Sequence, residues 1–106
     1  HLNIVDKLML QDENGESSWF GFGLLCTGSL EGKRKDVIRA LTDAGVECRP
    51  IVAGNFMRNP VIEKMNAKVC VAINADYIHE NGFFIGNDCV DLEEKIIGVA
   101  NIIKSL

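Results

Sequence analysis

Glu47-Cys48-Arg49-Pro50-Ile51-Val52-Ala53-Gly54-Asn55-Phe56-Met57-Arg58-Asn59-Pro60 is the stretch whose reading decides the fold. It begins as a strand and then breaks its own regularity. Pro50 removes a backbone donor and pushes Arg49 into an extended conformation. Ile51 and Val52 are able to continue a strand, but Ala53-Gly54-Asn55 ends it, because Gly and Asn accept positive φ where other residues do not. A strand end that delivers the Arg49 guanidinium, the Asn55 amide and the Phe56 ring into one loop has the makings of a binding-site wall. The same residues also fit a loop whose arginine makes a surface ion pair and whose phenylalanine plugs the core.

Upstream of this stretch, Lys33 to Ala44 reads as an amphipathic helix. Val37, Leu41 and Ala44 share one face with Ile38 beside them, and Gly45 is placed as the C-terminal stop. Ser18 to Cys26 reads as a strand, with Phe20, Phe22 and Leu24 alternating with Gly21 and Gly23. Glycines on alternate positions leave one strand face bare, so something approaches that backbone closely. Before it, Asn14-Gly15 marks a turn, and residues 1–10 read as an extended lead-in.

Downstream, Pro60 to Met65 begins a short helix with proline in its first turn. Val71, Ala72, Ala75 and Ile78 suggest a helix ending before Asn81-Gly82, and Phe83 to Gly86 is a short strand. Asp91 with Glu94 three residues on predicts a capping box for a last helix, whose stripe is Leu92, Ile96, Val99, Ala100 and Ile103. The order strand, helix, strand, helix, strand, helix predicts an α/β (α+β) domain, a small sheet with helices packed on one face.

A chain of 106 residues is one compact domain, with 47% hydrophobic and 25% charged residues. A net charge of −4 argues against nucleic acid as the main partner, since phosphate binding needs a basic face. No apolar run approaches the roughly 20 residues of a membrane helix, and no secretory pattern opens the chain. The first residue is His1 rather than methionine, as a segment of a longer protein would have it. The four cysteines, Cys26, Cys48, Cys70 and Cys89, lack the close spacing of a zinc or redox motif. Cys26 and Cys70 sit between apolar neighbours and read as small buried hydrophobes, which fits a reduced, cytoplasmic protein.

No nucleophile–base pair stands out. His79 is a lone histidine on a helix, and Asp88, Asp91, Glu93 and Glu94 read as capping and a solvated first turn rather than metal ligands. No catalytic residue and no metal ligand is therefore assigned, and cofactor-binding positions stay open.

Three landmarks add to this reading: Ser17-Ser18-Trp19-Phe20-Gly21-Phe22, Gly45 to Phe56, and Asn81-Gly82-Phe83-Phe84-Ile85-Gly86-Asn87. Their order and spacing over nearly the whole chain resemble the C-terminal small domain of the DegT/DnrJ family, vitamin B6-dependent sugar aminotransferases and dehydratases. The resemblance implies that residues 1–106 are the small domain of a fold-type-I PLP enzyme, a mainly antiparallel sheet, with the large cofactor-binding domain outside this sequence. Within the family the likeness is to the 3-dehydratases of nucleotide-linked 4-keto-6-deoxy sugars, especially the GDP-linked type. Phe20 carries the distinction, because aminotransferase members place a histidine-containing motif at the equivalent strand. An aromatic ring there packs and excludes water but exchanges no protons.

The resemblance further implies PLP/PMP as cofactor of the complete enzyme, glutamate as co-substrate, a homodimer, and loss of the sugar C3 hydroxyl with the cofactor ring as electron sink. The related CDP-sugar enzymes use an iron–sulfur cluster, whose ligands these cysteines do not resemble. Phe20, Arg49, Asn55 and Phe56 are the expected substrate-binding residues, with Arg49 facing an anionic or hydroxyl-rich group. Asp88 stands where relatives often have histidine and receives no role. Two other readings stay open: an aminotransferase parent, and a non-catalytic binding or oligomerisation module. The isolated segment is expected to be inactive.

Overall fold

The computed structural model describes residue 4 and residues 6–106. Part of the extended lead-in lies outside them; within them Leu8–Leu10 forms strand β1. Then follow β2 (Gly21–Cys26), α1 (Arg34–Asp43), β3 (Cys48–Pro50), α2 (Val61–Lys64), α3 (Ile73–Asn81), β4 (Gly82–Gly86) and α4 (Glu93–Ser105). The strands form one sheet in the order β1-β2-β4-β3, and all three pairings are antiparallel.

The side-chain period of two sorts this sheet into unlike faces. Leu8, Leu24, Cys26, Phe83 and Ile85 point to one side and join Val37 and Leu41 of α1 and Val99 and Ile103 of α4 in the core. Each of these large side chains taken fully out of water contributes roughly 1.5–3 kcal/mol. The opposite face holds Gly21, Gly23, Phe84 and Arg49, brought into line by the pairs Gly21–Gly86, Gly23–Phe84 and Arg49–Phe84.

Helix α1 ends as its sequence predicts. Gly45 has φ of 83°, its N–H donates to Thr42 O, and the Val46 N–H donates to Leu41 O. This is a Schellman closure, which satisfies two carbonyls at the end of the helix. Ala44 itself is exposed, because it is the flanking residue of that turn rather than part of the buried stripe.

Four expectations are corrected. Strand β2 starts at Gly21 and not Ser18, since Trp19 adopts a left-handed φ of 43° that no strand residue takes. The Asp91–Glu94 box gives way to a single bond in which the Asp91 carboxylate accepts the Glu93 N–H at 2.9 Å, and α4 begins at Glu93. Val71 lies before α3 and is 89% exposed. Cys70 is exposed, because residues 67–72 form neither helix nor strand and its apolar neighbours are not buried with it.

No turn separates α3 from β4. Gly82 makes the direct passage, because a Cβ there would strike the Ile78 carbonyl and the Ile51 side chain. Arg34 fastens the junction by donating to the carbonyls of His79 (2.5 Å) and Gly82 (3.1 Å). Asn81 accepts from Gly32 N at 2.7 Å, and the Tyr77 hydroxyl donates to Cys26 O at 3.1 Å. No helix of the described residues is long and apolar enough to cross a membrane.

Candidate substrate groove

The helix-free face carries a groove of about 300 Å³, lined by Gln11, Ser17, Trp19, Phe20, Gly21, Gly23, Ile51, Val52 and Phe84. Its floor exists because two strand positions lack side chains. A Cβ at Gly21 would stand 2.9 Å from both the Ile85 carbonyl oxygen and the Phe84 ring, and one at Gly23 would stand 3.1 Å from Gln11 Oε1. The close approach read from the alternating glycines is thus made by the chain's own Phe84 and Gln11.

Phe20 stands over this floor, 90% exposed, its ring centroid 5.9 Å from that of Phe84 at an interplanar angle of 53°. A tilted pair at this separation is within the favourable range for aromatic contacts. The backbone that presents it is held locally. Trp19 N donates to Ser17 Oγ at 3.1 Å, Ser17 N to Glu13 Oε1 at 2.8 Å, and Asn87 Nδ2 to the Trp19 carbonyl at 2.8 Å. These bonds offset the cost of a bulky residue at positive φ, which is uncommon and found where a structure imposes it.

Arg49 is directly opposite Phe84 in the sheet, on the groove face. Its guanidinium forks onto Glu47 Oε1, 3.0 Å from Nε and 2.6 Å from Nη2. Both side chains are well exposed, so the pair holds the fork in place without burying it.

Asn55 and Phe56 are not in the groove lining. Asn55 is 6% exposed and turned inward. Its Oδ1 accepts from Met57 N at 3.0 Å, its Nδ2 donates to Asp76 at 2.8 Å, and its backbone N donates to His79 Nδ1 at 3.1 Å. The amide therefore caps the short 3-10 turn Phe56–Arg58, and all its groups are engaged within the chain. Phe56 opens that turn and is 44% exposed rather than plugging the core. Arg58 bridges Asp76 (2.6 Å) and Glu80 (2.8 Å). The Asn55 amide, with Arg58 second, holds the Asp76 carboxyl below its usual range.

The structure thus gathers Phe20 and Arg49 on one face around Phe84, ties Asn55 to α3, and leaves Phe56 half-exposed outside the groove lining. Sequence reasoning missed Phe84, Trp19, Gln11 and Ser17. The glycine alternation was the one signal that pointed at them. The groove lining itself holds no lysine, arginine or histidine, and Arg49 stands opposite Phe84 on the same face of the sheet. Among the described residues no three His, Cys, Asp or Glu are gathered to hold a metal.

No family profile matches the chain. Solved structures do, and they define its class: it is similar to a C-terminal portion of vitamin B6-dependent sugar-nucleotide 3-dehydratases, an α+β small domain. The particular relatives are GDP-4-keto-6-deoxy-D-mannose 3-dehydratases. That of Yersinia pseudotuberculosis is 42% identical over 97 residues, 90% of this chain and 25% of the relative. That of Escherichia coli O55:H7 is 39% identical over 99 residues, 92% of this chain and 26% of the relative. A crystal structure of such an enzyme with bound GDP-perosamine matches with TM-score 0.84 at 37% identity, covering 92% of this chain and 26% of that one. Another, with a trapped PLP-glutamate geminal diamine, matches with TM-score 0.83 at 38% identity and the same coverage. The chain spans about a quarter of the length of the relatives it matches.

Proposed function

We propose that residues 1–106 are the small lobe of a complete GDP-4-keto-6-deoxyhexose 3-dehydratase, a cytoplasmic homodimer. In this reading the lobe lends Phe20, Arg49 and the groove beside Phe84 to the sugar-nucleotide pocket. The observation that carries the reading is identity of 39–42% to these dehydratases over at least 90% of the chain. The exposed apolar side chains of Val52 (91%), Val71 (89%) and Ile73 (75%) add support, being the kind of surface that a further domain covers.

PLP/PMP, held by the remainder of the enzyme, supplies the electron sink for loss of the C3 hydroxyl. The chain's own residues bind and enclose. Phe20 packs against the sugar nucleotide and excludes water, and the Arg49 fork is suited to an anionic or hydroxyl-rich group.

The test is incubation of the full-length protein with GDP-4-keto-6-deoxymannose, the cofactor and glutamate. The expected products are a sugar nucleotide lacking the C3 oxygen, 2-oxoglutarate and ammonia. A 4-amino sugar instead makes the parent an aminotransferase. Unchanged substrate leaves the lobe to a non-catalytic role.

A further inference from the structure

Ile51 and Val52 wall one end of the groove, and the chain that follows them is anchored on one side chain of α3. Gly54, at φ of 55°, lies so close to His79 that a Cβ there would collide with the imidazole. The next residue donates its backbone N–H to His79 Nδ1 at 3.1 Å. A backbone N–H only donates, so Nδ1 carries no proton and the ring is neutral with its hydrogen on Nε2.

The charged groups on the neighbouring elements are engaged with one another or with backbone: Asp76 and Glu80 on α3 pair with Arg58 of the 3-10 turn, and Arg34 at the start of α1 donates to the His79 carbonyl. Asp76 also accepts from the Asn55 side chain, so the Asn55 amide and backbone are both tied to α3.

We propose that His79 is a positioning residue that acts as a proton-operated latch on the 51–55 loop. The neutral imidazole pins Gly54 and Asn55. When Nδ1 takes a proton it becomes a second donor facing a donor, the bond to Asn55 N is lost, and the loop bearing Ile51 and Val52 comes free. Histidine is the side chain that ordinarily changes charge between pH 5 and 8. The latch stands on the geometry of the chain; its effect on the groove's ligand rests on the function proposed above.

The experiment is hydrogen exchange followed by mass spectrometry on the full-length protein, from pH 8 to 5, with protection of residues 50–58 corrected for the intrinsic exchange rate. Loss of one hydrogen bond corresponds to a roughly tenfold fall in wild-type protection across that range. His79→Asn, which offers an amide oxygen near the place of Nδ1 and does not titrate, keeps its protection independent of pH. His79→Ala lacks it throughout, while peptides of α3 and β4 stay protected and report that the fold persists. Flat protection in the wild type, or the same fall in His79→Asn, overturns the latch. Because this readout needs no turnover, a working latch in a protein without dehydratase activity would count against the functional reading alone.

Discussion

Phe20 is almost wholly exposed, yet its ring is fixed 5.9 Å from the Phe84 ring at 53°, over a strip of sheet that has no side chains. An aromatic ring held open above bare backbone stabilises a fold very little, so its value lies in what it meets. Phe20→Ala is therefore expected to change stability by no more than ~0.5 kcal/mol. It should weaken sugar-nucleotide binding by about tenfold, the equivalent of ~1.4 kcal/mol. Urea denaturation and calorimetric titration of the full-length protein measure the two. A large loss of stability with unchanged affinity would make Phe20 a packing residue.

The two floor glycines should not be equally tolerant. At Gly21 an added methyl meets the Ile85 carbonyl, which is backbone and cannot yield. At Gly23 it meets only the end of the flexible Gln11 side chain. Gly21→Ala is expected to cost ~1–3 kcal/mol through overpacking, and Gly23→Ala clearly less. Equal denaturation midpoints for the two variants would refute the described floor.

Asp76 contributes to the acid limb of stability. Its folded-state pKa lies below the unfolded value because Asn55 and then Arg58 favour the carboxylate. A depressed carboxyl contributes stability that is present above its unfolded pKa and lost as pH falls through its folded one. Wild-type melting temperature should therefore drop below about pH 4. Asp76→Asn should flatten this drop while lowering stability at neutral pH. A drop of equal slope in both proteins would exclude Asp76 as its source.

The cysteines should divide by burial. Burial pushes the Cys26 thiol up to about 11, against a smaller opposing pull from Arg34, and it raises the Cys48 thiol as well. The thiolate is the reactive form, so Cys26 should resist alkylation near neutral pH while exposed Cys70 and Cys89 are modified first. Iodoacetamide labelling read by peptide mass spectrometry checks this order. Early modification of Cys26 would contradict its place in the core.

What the amino-acid sequence determined by itself was whatever depends on neighbours a few positions apart. The Gly45 stop and the buried stripes, Val37 and Leu41 of α1 and Val99, Ala100 and Ile103 of α4, are local and appear where the residues predict them, Ala44 excepted. So are the Phe83–Gly86 strand and the bare face of Gly21 and Gly23. Together with three landmark stretches these were enough for the α+β class and the family resemblance.

Tertiary structure alone decided the rest, because long-range contacts assign each polar group its partner. Asn55 looked free for a ligand until α3 brought Asp76 and His79 within hydrogen-bond reach, 21 and 24 residues away. Phe84 became a groove wall only through the register that sets it opposite Gly23 on one side and Arg49 on the other. Cys70 lies among apolar residues in sequence but in open surface in space, since burial is conferred by packed layers rather than by neighbours along the chain.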